Sequence, residues 1–161
     1  MEIVYIETSV VSLLVANLSR DLVTAGQQQA TRDWWSRRRV LFQCVTSDET
    51  LTESARGDAE EAHLRLAALA GMPTLSITLE AENLAAEFLR TGALPVAARS
   101  DAVHLAVASI ARTDFLLTWN CRHLAFGQRT NPPAFGTGGL PLWMGTADGL
   151  HPVGIDGRLC L

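Results

Sequence analysis

Glu7, Glu53 and Asp101 are three carboxylates placed to do chemistry. Glu7 closes the apolar run Ile3-Val-Tyr-Ile-Glu-Thr-Ser9, where a buried strand would deliver an acid and two hydroxyls to its carboxyl end. Glu53 lies on a helical segment just after a second buried run, and Asp101 opens the most apolar helix of the chain. Each also has a structural use. Thr8 or Ser9 suits a helix cap with Glu7 solvated beside it, Glu53 suits an exposed helix face, and Ser100 or Asp101 suits a cap or the positive end of a helix dipole. Gathered over one sheet edge, the three acids would repel one another unless a hard divalent cation sat between them. Mg²⁺ keeps several waters and takes one or two protein carboxylates directly, so a third would act through water. Thr8, Ser9, Thr118 and Asn120 add hydrogen-bonding groups around the same rim. His104, one helical turn beyond Asp101, suits orientation of that acid or of a substrate phosphate, and equally suits plain packing.

The elements that would carry these residues alternate. The runs at 3–9, 40–45, 74–78 and 114–119 read as strands. Helical patterns fall at 10–16, 22–39, from Thr46 to about 55, 59–70, 79–90 and 99–111. Thr46-Ser-Asp-Glu49 has the form of a capping box, which gives Glu49 a duty at a helix start. Gly71 and Gly92 stop two of the helices. The adjacent Trp34 and Trp35 cannot both face inward on one helix, so one is expected at a groove or interface. Strands alternating with helices predict an α/β fold, a parallel sheet with helices on both faces. Such sheets bind ligands outside the carboxyl ends of their strands.

Composition sets the bounds. At 161 residues, with 48% hydrophobic and 19% charged, the chain suits one globular domain. All thirteen basic residues are arginine and the net charge is −4, which argues against a non-specific polyanion binder. Arg37-Arg38-Arg39 is the one basic cluster, suited to a solvated helix end or a phosphate contact. Cys44, Cys121 and Cys160 lack metal-type spacing and are expected as free thiols. With no membrane-length apolar run and no basic leader, the expected location is the cytoplasm. No glycine-rich phosphate loop follows the first strand, which weighs against a nucleotide-binding module.

Tyr-Ile-Glu-Thr-Ser-Val-Val-Ser-Leu at 5–13 resembles the opening of a PIN-domain nuclease of the VapC toxin type. The resemblance continues through Ser19-Arg-Asp21, Thr31-Arg32-Asp-Trp34-Trp35, and Leu51-Thr-Glu-Ser-Ala-Arg-Gly-Asp58. It runs on through Ser100-Asp-Ala-Val-His-Leu-Ala106 to Leu116-Leu-Thr-Trp-Asn-Cys-Arg-His-Leu124, and so covers about residues 1–125. It implies a PIN-like three-layer α/β/α fold with a central parallel sheet of four or five strands. It also implies a Mg²⁺- or Mn²⁺-dependent endoribonuclease, the toxin of a VapBC-type toxin–antitoxin pair, dimeric and held by a cognate antitoxin protein. The family's catalytic and metal-binding acids fall on Glu7, Glu53 and Asp101. The first is more usually aspartate, and the fourth acidic position falls on Asn120, which adds no charge for a second metal. Thr8, Ser9, His104 and Thr118 are the expected substrate contacts. The alternative expectation is a catalytically impaired PIN-like module that binds RNA or protein.

Beyond Phe126 the pattern stops. Residues 127–141 are dense in turn formers and carry neither a helical nor a strand period. Members of the resembled family close instead with an Arg-rich helix and a segment like G-Y-E-P-P-x-I-C-T-P-E-E-L. Reading permissible codons one nucleotide later turns 127–131 into A-N-A-R-I, 142–145 into Y-G-W-E and 147–157 into P-T-V-C-T-P-L-E-L-M-D. The expected division is therefore a PIN-like domain at 1–126 and an atypical tail at 127–161, disordered or the product of a single-nucleotide frameshift near Ala125.

Overall fold

A computed structural model describes residues 1–120, and the expectations for the tail lie outside the described residues. Ile3–Ile6 forms β1, a run of β-branched and aromatic side chains buried on both faces, as a central parallel strand requires. It is followed by α1 (Thr8–Val15), α2 (Leu22–Arg37), a 3₁₀ turn (Arg39–Leu41), β2 (Gln43–Ser47), α3 (Asp48–Ser54) and α4 (Ala59–Leu69). Then come β3 (Thr74–Leu75), α5 (Leu79–Arg90), α6 (Arg99–Ile110) and β4 (Phe115–Leu117). The strands make a four-stranded parallel sheet in the order β3-β2-β1-β4, with Tyr5 opposite both Val45 and Leu116.

Strand alternation divides the core between the two faces. Tyr5, Val45 and Leu116 pack with Ala81, Ala85, Ala102 and Ala106 of α5 and α6. Val4, Ile6 and Leu117 pack with Val10 and Val11 of α1, Trp34 of α2 and Leu69 of α4. This is the expected three-layer α/β/α arrangement. The small alanine faces of α5 and α6 let those helices lie close to the sheet, which brings the polar first turns of α6 near the strand ends. Among the described residues no helix is long and apolar enough to cross a membrane.

Three local expectations are corrected. The second strand begins at Gln43 rather than Val40, because Arg39 stacks 4.8 Å from the Trp35 ring centroid and the chain turns there, leaving Val40 and Leu41 exposed. The capping box at Thr46 does not form. Thr46 is still in the strand, fully buried with its hydroxyl on the Ile6 carbonyl, so Ser47 takes the cap and accepts from the Thr50 amide at 3.3 Å. At the other strand end Glu7, rather than Thr8 or Ser9, caps α1. Of the paired tryptophans, Trp34 is buried against Phe42 and Trp35 is half-buried under Arg39.

Candidate functional site

β1 lies between β2 and β4, so the residues that follow these three strands meet beyond their carboxyl ends. Glu7 follows β1 directly. As an N-cap it folds its carboxylate back over its own helix, where Oε2 accepts from the Ser9 amide at 3.0 Å and from the Ser9 hydroxyl. Thr118, just past β4, donates to the same oxygen at 2.8 Å. Three donors on Oε2 fix the rotation of the carboxylate, and Oε1 faces His104 Nε2 at 4.0 Å. Ser9 is itself placed by accepting the Trp119 amide at 2.8 Å.

Glu53 comes from the last turn of α3. Its Oε2 accepts from the Thr8 hydroxyl and meets His104 Nε2 at 2.9 Å, while Oε1 accepts from Ser100 Oγ at 2.5 Å. Burial works against its charge, but the hydrogen bonds from His104, Ser100 and Thr8 outweigh burial and hold the carboxyl down at about 2. His104 is 1% exposed. Burial disfavours its imidazolium, yet the Glu53 acceptor and the charges of Glu7, Glu53 and Glu49 raise it above its ordinary value. Its other nitrogen, Nδ1, is 2.7 Å from the Tyr5 hydroxyl. His104 was expected to pack or to orient Asp101 or a substrate phosphate; it is buried, and its ring nitrogens meet Tyr5 and Glu53.

Asp101 lies in the first turn of α6, 8% exposed, and its Oδ1 accepts from Asn120 Nδ2 at 2.7 Å. The Asn120 amide donates in turn to Thr118 Oγ1 at 2.9 Å. The fourth position of the resemblance is thus tied to the third acid through its amide and to the first acid through Thr118. Ser100, offered as a cap by the sequence, leaves that duty unfilled and puts its hydroxyl 2.5 Å from both Glu49 Oε1 and Glu53 Oε1. One hydroxyl carries one proton, so two carboxylates share a single donor there.

Among the described residues, Glu7, Glu53 and His104 offer possible ligand atoms that all lie within 4.8 Å of one another. Asp101, expected as the third metal ligand, is not in that set. Two carboxylates and one imidazole could hold a metal ion, and no thiolate is among them. Comparison with family models, with curated proteins and with solved structures gives no match for this chain.

Tyr5, Glu49 and Ser100 belong to the site and were not singled out from sequence. A signal existed for each. Tyr5 is two residues from Glu7 and so shares its strand face. Glu49 is one helical turn before Glu53 on the same side of α3, and Ser100 adjoins Asp101.

Proposed function

We propose that this chain is a divalent-cation-dependent endoribonuclease, the PIN-domain toxin of a VapBC-type toxin–antitoxin pair. The observation that carries the reading is the meeting of Glu7 and Glu53 with their donor hydroxyls beyond the carboxyl ends of β1, β2 and β4, with Asp101 tied to the same rim through Asn120 and Thr118. Glu7 and Glu53 would hold Mg²⁺ or Mn²⁺, with Asp101 reaching it through water. The cation, when bound, supplies positive charge against the scissile phosphate and lowers the pKa of an attacking water.

The chain's own residues do the rest. The hydroxyls of Thr8, Ser9 and Thr118 hold the two carboxylates in fixed orientations, so no reorganisation is needed when substrate arrives. Glu53, kept ionised by its donors, serves as an orienting acceptor rather than a proton source. Asn120 holds Asp101 beside them without adding charge. The reading includes an RNA substrate, a cognate antitoxin protein and a homodimer, as the resemblance implies, and the cytoplasmic setting expected from the sequence. One observation favours a second reading, a PIN-like module that binds RNA or protein without cutting. The neutral Asn120 stands where a fourth acid would complete a second cation site.

Incubation of the full chain with a panel of structured RNAs, with Mg²⁺ or with chelator, separates the two. The nuclease reading expects cleavage that chelator stops and that Asp101→Asn and Glu53→Gln reduce at least about 100-fold. RNA retention without cleavage, unchanged in both variants, establishes the second reading.

A further inference from the structure

Tyr5 is a fully buried phenol in the middle of β1 with three polar neighbours, none of them solvent. Its hydroxyl lies 2.6 Å from Ser47 Oγ, 2.7 Å from His104 Nδ1 and 3.4 Å from Thr50 Oγ1. The direction of each proton follows from the donors on hand. Ser47 Oγ already accepts the Thr50 amide as the cap of α3. Its own proton has two outlets, Tyr5 at 2.6 Å and Thr50 Oγ1 at 3.4 Å, and only the first is a good hydrogen-bond length. Thr50 Oγ1 turns toward the Ile6 carbonyl. A Tyr5 oxygen that accepts from Ser47 has its single proton left for His104 Nδ1.

An imidazole that accepts at Nδ1 carries its hydrogen on Nε2, and Nε2 lies 2.9 Å from Glu53 Oε2. We propose that Tyr5 is a positioning residue: its proton holds Nδ1 while the Glu53 carboxylate takes the hydrogen of Nε2. The two together keep His104 as an oriented Nε2–H tautomer that steadies Glu53 and has no lone pair at the site to offer a cation. The inference rests on the nuclease reading for its catalytic consequence and on geometry alone for the tautomer. It settles the part played by the third member of the tight set. His104 lies close enough to ligate, but the proton wired to Nε2 assigns it to support the carboxylate that does. The chain of donors runs from the Thr50 amide through Ser47 and Tyr5 to His104 and ends on Glu53. It joins the start of α3, β1 and α6 before returning to the end of α3.

Two measurements test this. Long-range ¹H–¹⁵N correlation of the imidazoles in the full chain with Mg²⁺ reads the His104 tautomer without reference to activity, with His104→Gln supplying the assignment. The expected result is a neutral ring protonated at Nε2. A ring protonated at Nδ1, or at both nitrogens, overturns the proposal whether or not the protein cuts RNA. The second is Tyr5→Phe, which keeps the ring and removes the proton. Cleavage is expected to lose about 10–100-fold in kcat, the size typical of outer partners of ligands, with KM within about twofold. In the same variant Nε2 keeps its proton, directed at Glu53, and the unprotonated Nδ1 is expected to shift downfield on losing its donor. An unchanged Nδ1 shift together with unchanged kcat overturns the positioning role. If the wild type cuts no RNA while its His104 is the Nε2–H form, the nuclease reading fails and the tautomer assignment stands. If Tyr5→Phe does not fold, the wild-type spectrum still decides.

Discussion

Glu53, on α3, is held by three donors from two other elements: Thr8 at the start of α1, and Ser100 and His104 on α6. A carboxylate gripped from both sides of β1 cannot swing out to solvent, which is what a fixed ligand requires. Cys44 shows the opposite case at the same scale. It is half-buried on β2, with its thiol hydrogen aimed at the Arg39 carbonyl 3.8 Å away. Burial raises it, and the nearby Arg39 charge pulls the other way without cancelling the effect. A thiol with a raised folded pKa keeps its proton where the unfolded thiol has lost it. Stability linked to Cys44 is therefore intact at neutral pH and declines as pH climbs from the unfolded thiol value toward the folded one. Iodoacetamide labelling of Cys121→Ser/Cys160→Ser protein should show Cys44 reacting more slowly than a free thiol. Its rate should still be climbing at pH values where the free thiol has levelled off. A labelling midpoint at or below that of the free thiol would show that burial does not govern this group.

α3 is only seven residues long, too short to persist on its own, yet it carries both Glu49 and Glu53. Its two ends explain how it holds. Ser47 caps the start, and at the finish the buried Arg65 of α4 donates to the Ser54 carbonyl at 3.0 Å and the Arg56 carbonyl at 2.5 Å. Gly57, at φ 86°, then turns the chain so that Asp58 can cap α4, with the Arg65 guanidinium 3.8 Å from where a Cβ would stand. Replacing Arg65 by Met should cost about 1.5–3 kcal/mol in urea unfolding, because two carbonyls lose a charged donor. Lys should recover less than half of it, since one ammonium cannot reproduce the planar fork. Full recovery by Lys would mean that charge alone, and not the fork, secures the helix end.

The same element shows where sequence reading succeeds and where it stops. The parallel α/β sheet was legible because buried runs and helical periods alternate plainly, and Leu79–Arg90 was read to its exact ends between Thr78 and Gly92. The short strand ends were less legible: 114–119 shrank to Phe115–Leu117, since hydrogen-bonded pairing stops before hydrophobicity does. The acids Glu7, Glu53 and Asp101 stood out as carboxylates beside apolar runs. Glu49 did not, because Thr-x-x-Glu offered a complete local explanation and only the burial of Thr46 in the sheet removes it. Tyr5 read as core for the same reason, its partner His104 lying 99 residues away.

At the scale of the molecule, the site is a concentration of negative charge in a chain whose net charge is already −4. Glu7 and Asp101 are buried, and Glu49 and Glu53 share one hydroxyl, so folding brings together groups that the unfolded chain keeps apart and hydrated. A cation held by the folded arrangement and not by the unfolded chain adds stability as RT ln(1 + [L]/Kd), about 2.7 kcal/mol at a hundredfold excess over Kd. For a chain of this length each kcal/mol moves the melting temperature by about 2–4 °C, so saturating Mg²⁺ or Mn²⁺ should raise it by roughly 5–10 °C over chelated protein. Glu7→Gln/Glu53→Gln should melt at the same temperature with and without the cation. The chelated double variant should be less stable than the chelated wild type, because Glu53 loses the ionised form its donors favour and Glu7 its charged cap, so the cation effect is read within each protein. Scanning calorimetry of both proteins in Mg²⁺, Mn²⁺ and chelator makes the comparison. An equal cation-induced rise in the double variant would place the ion elsewhere on the chain. A rise confined to the wild type would tie the cation to these two carboxylates independently of any cleavage assay.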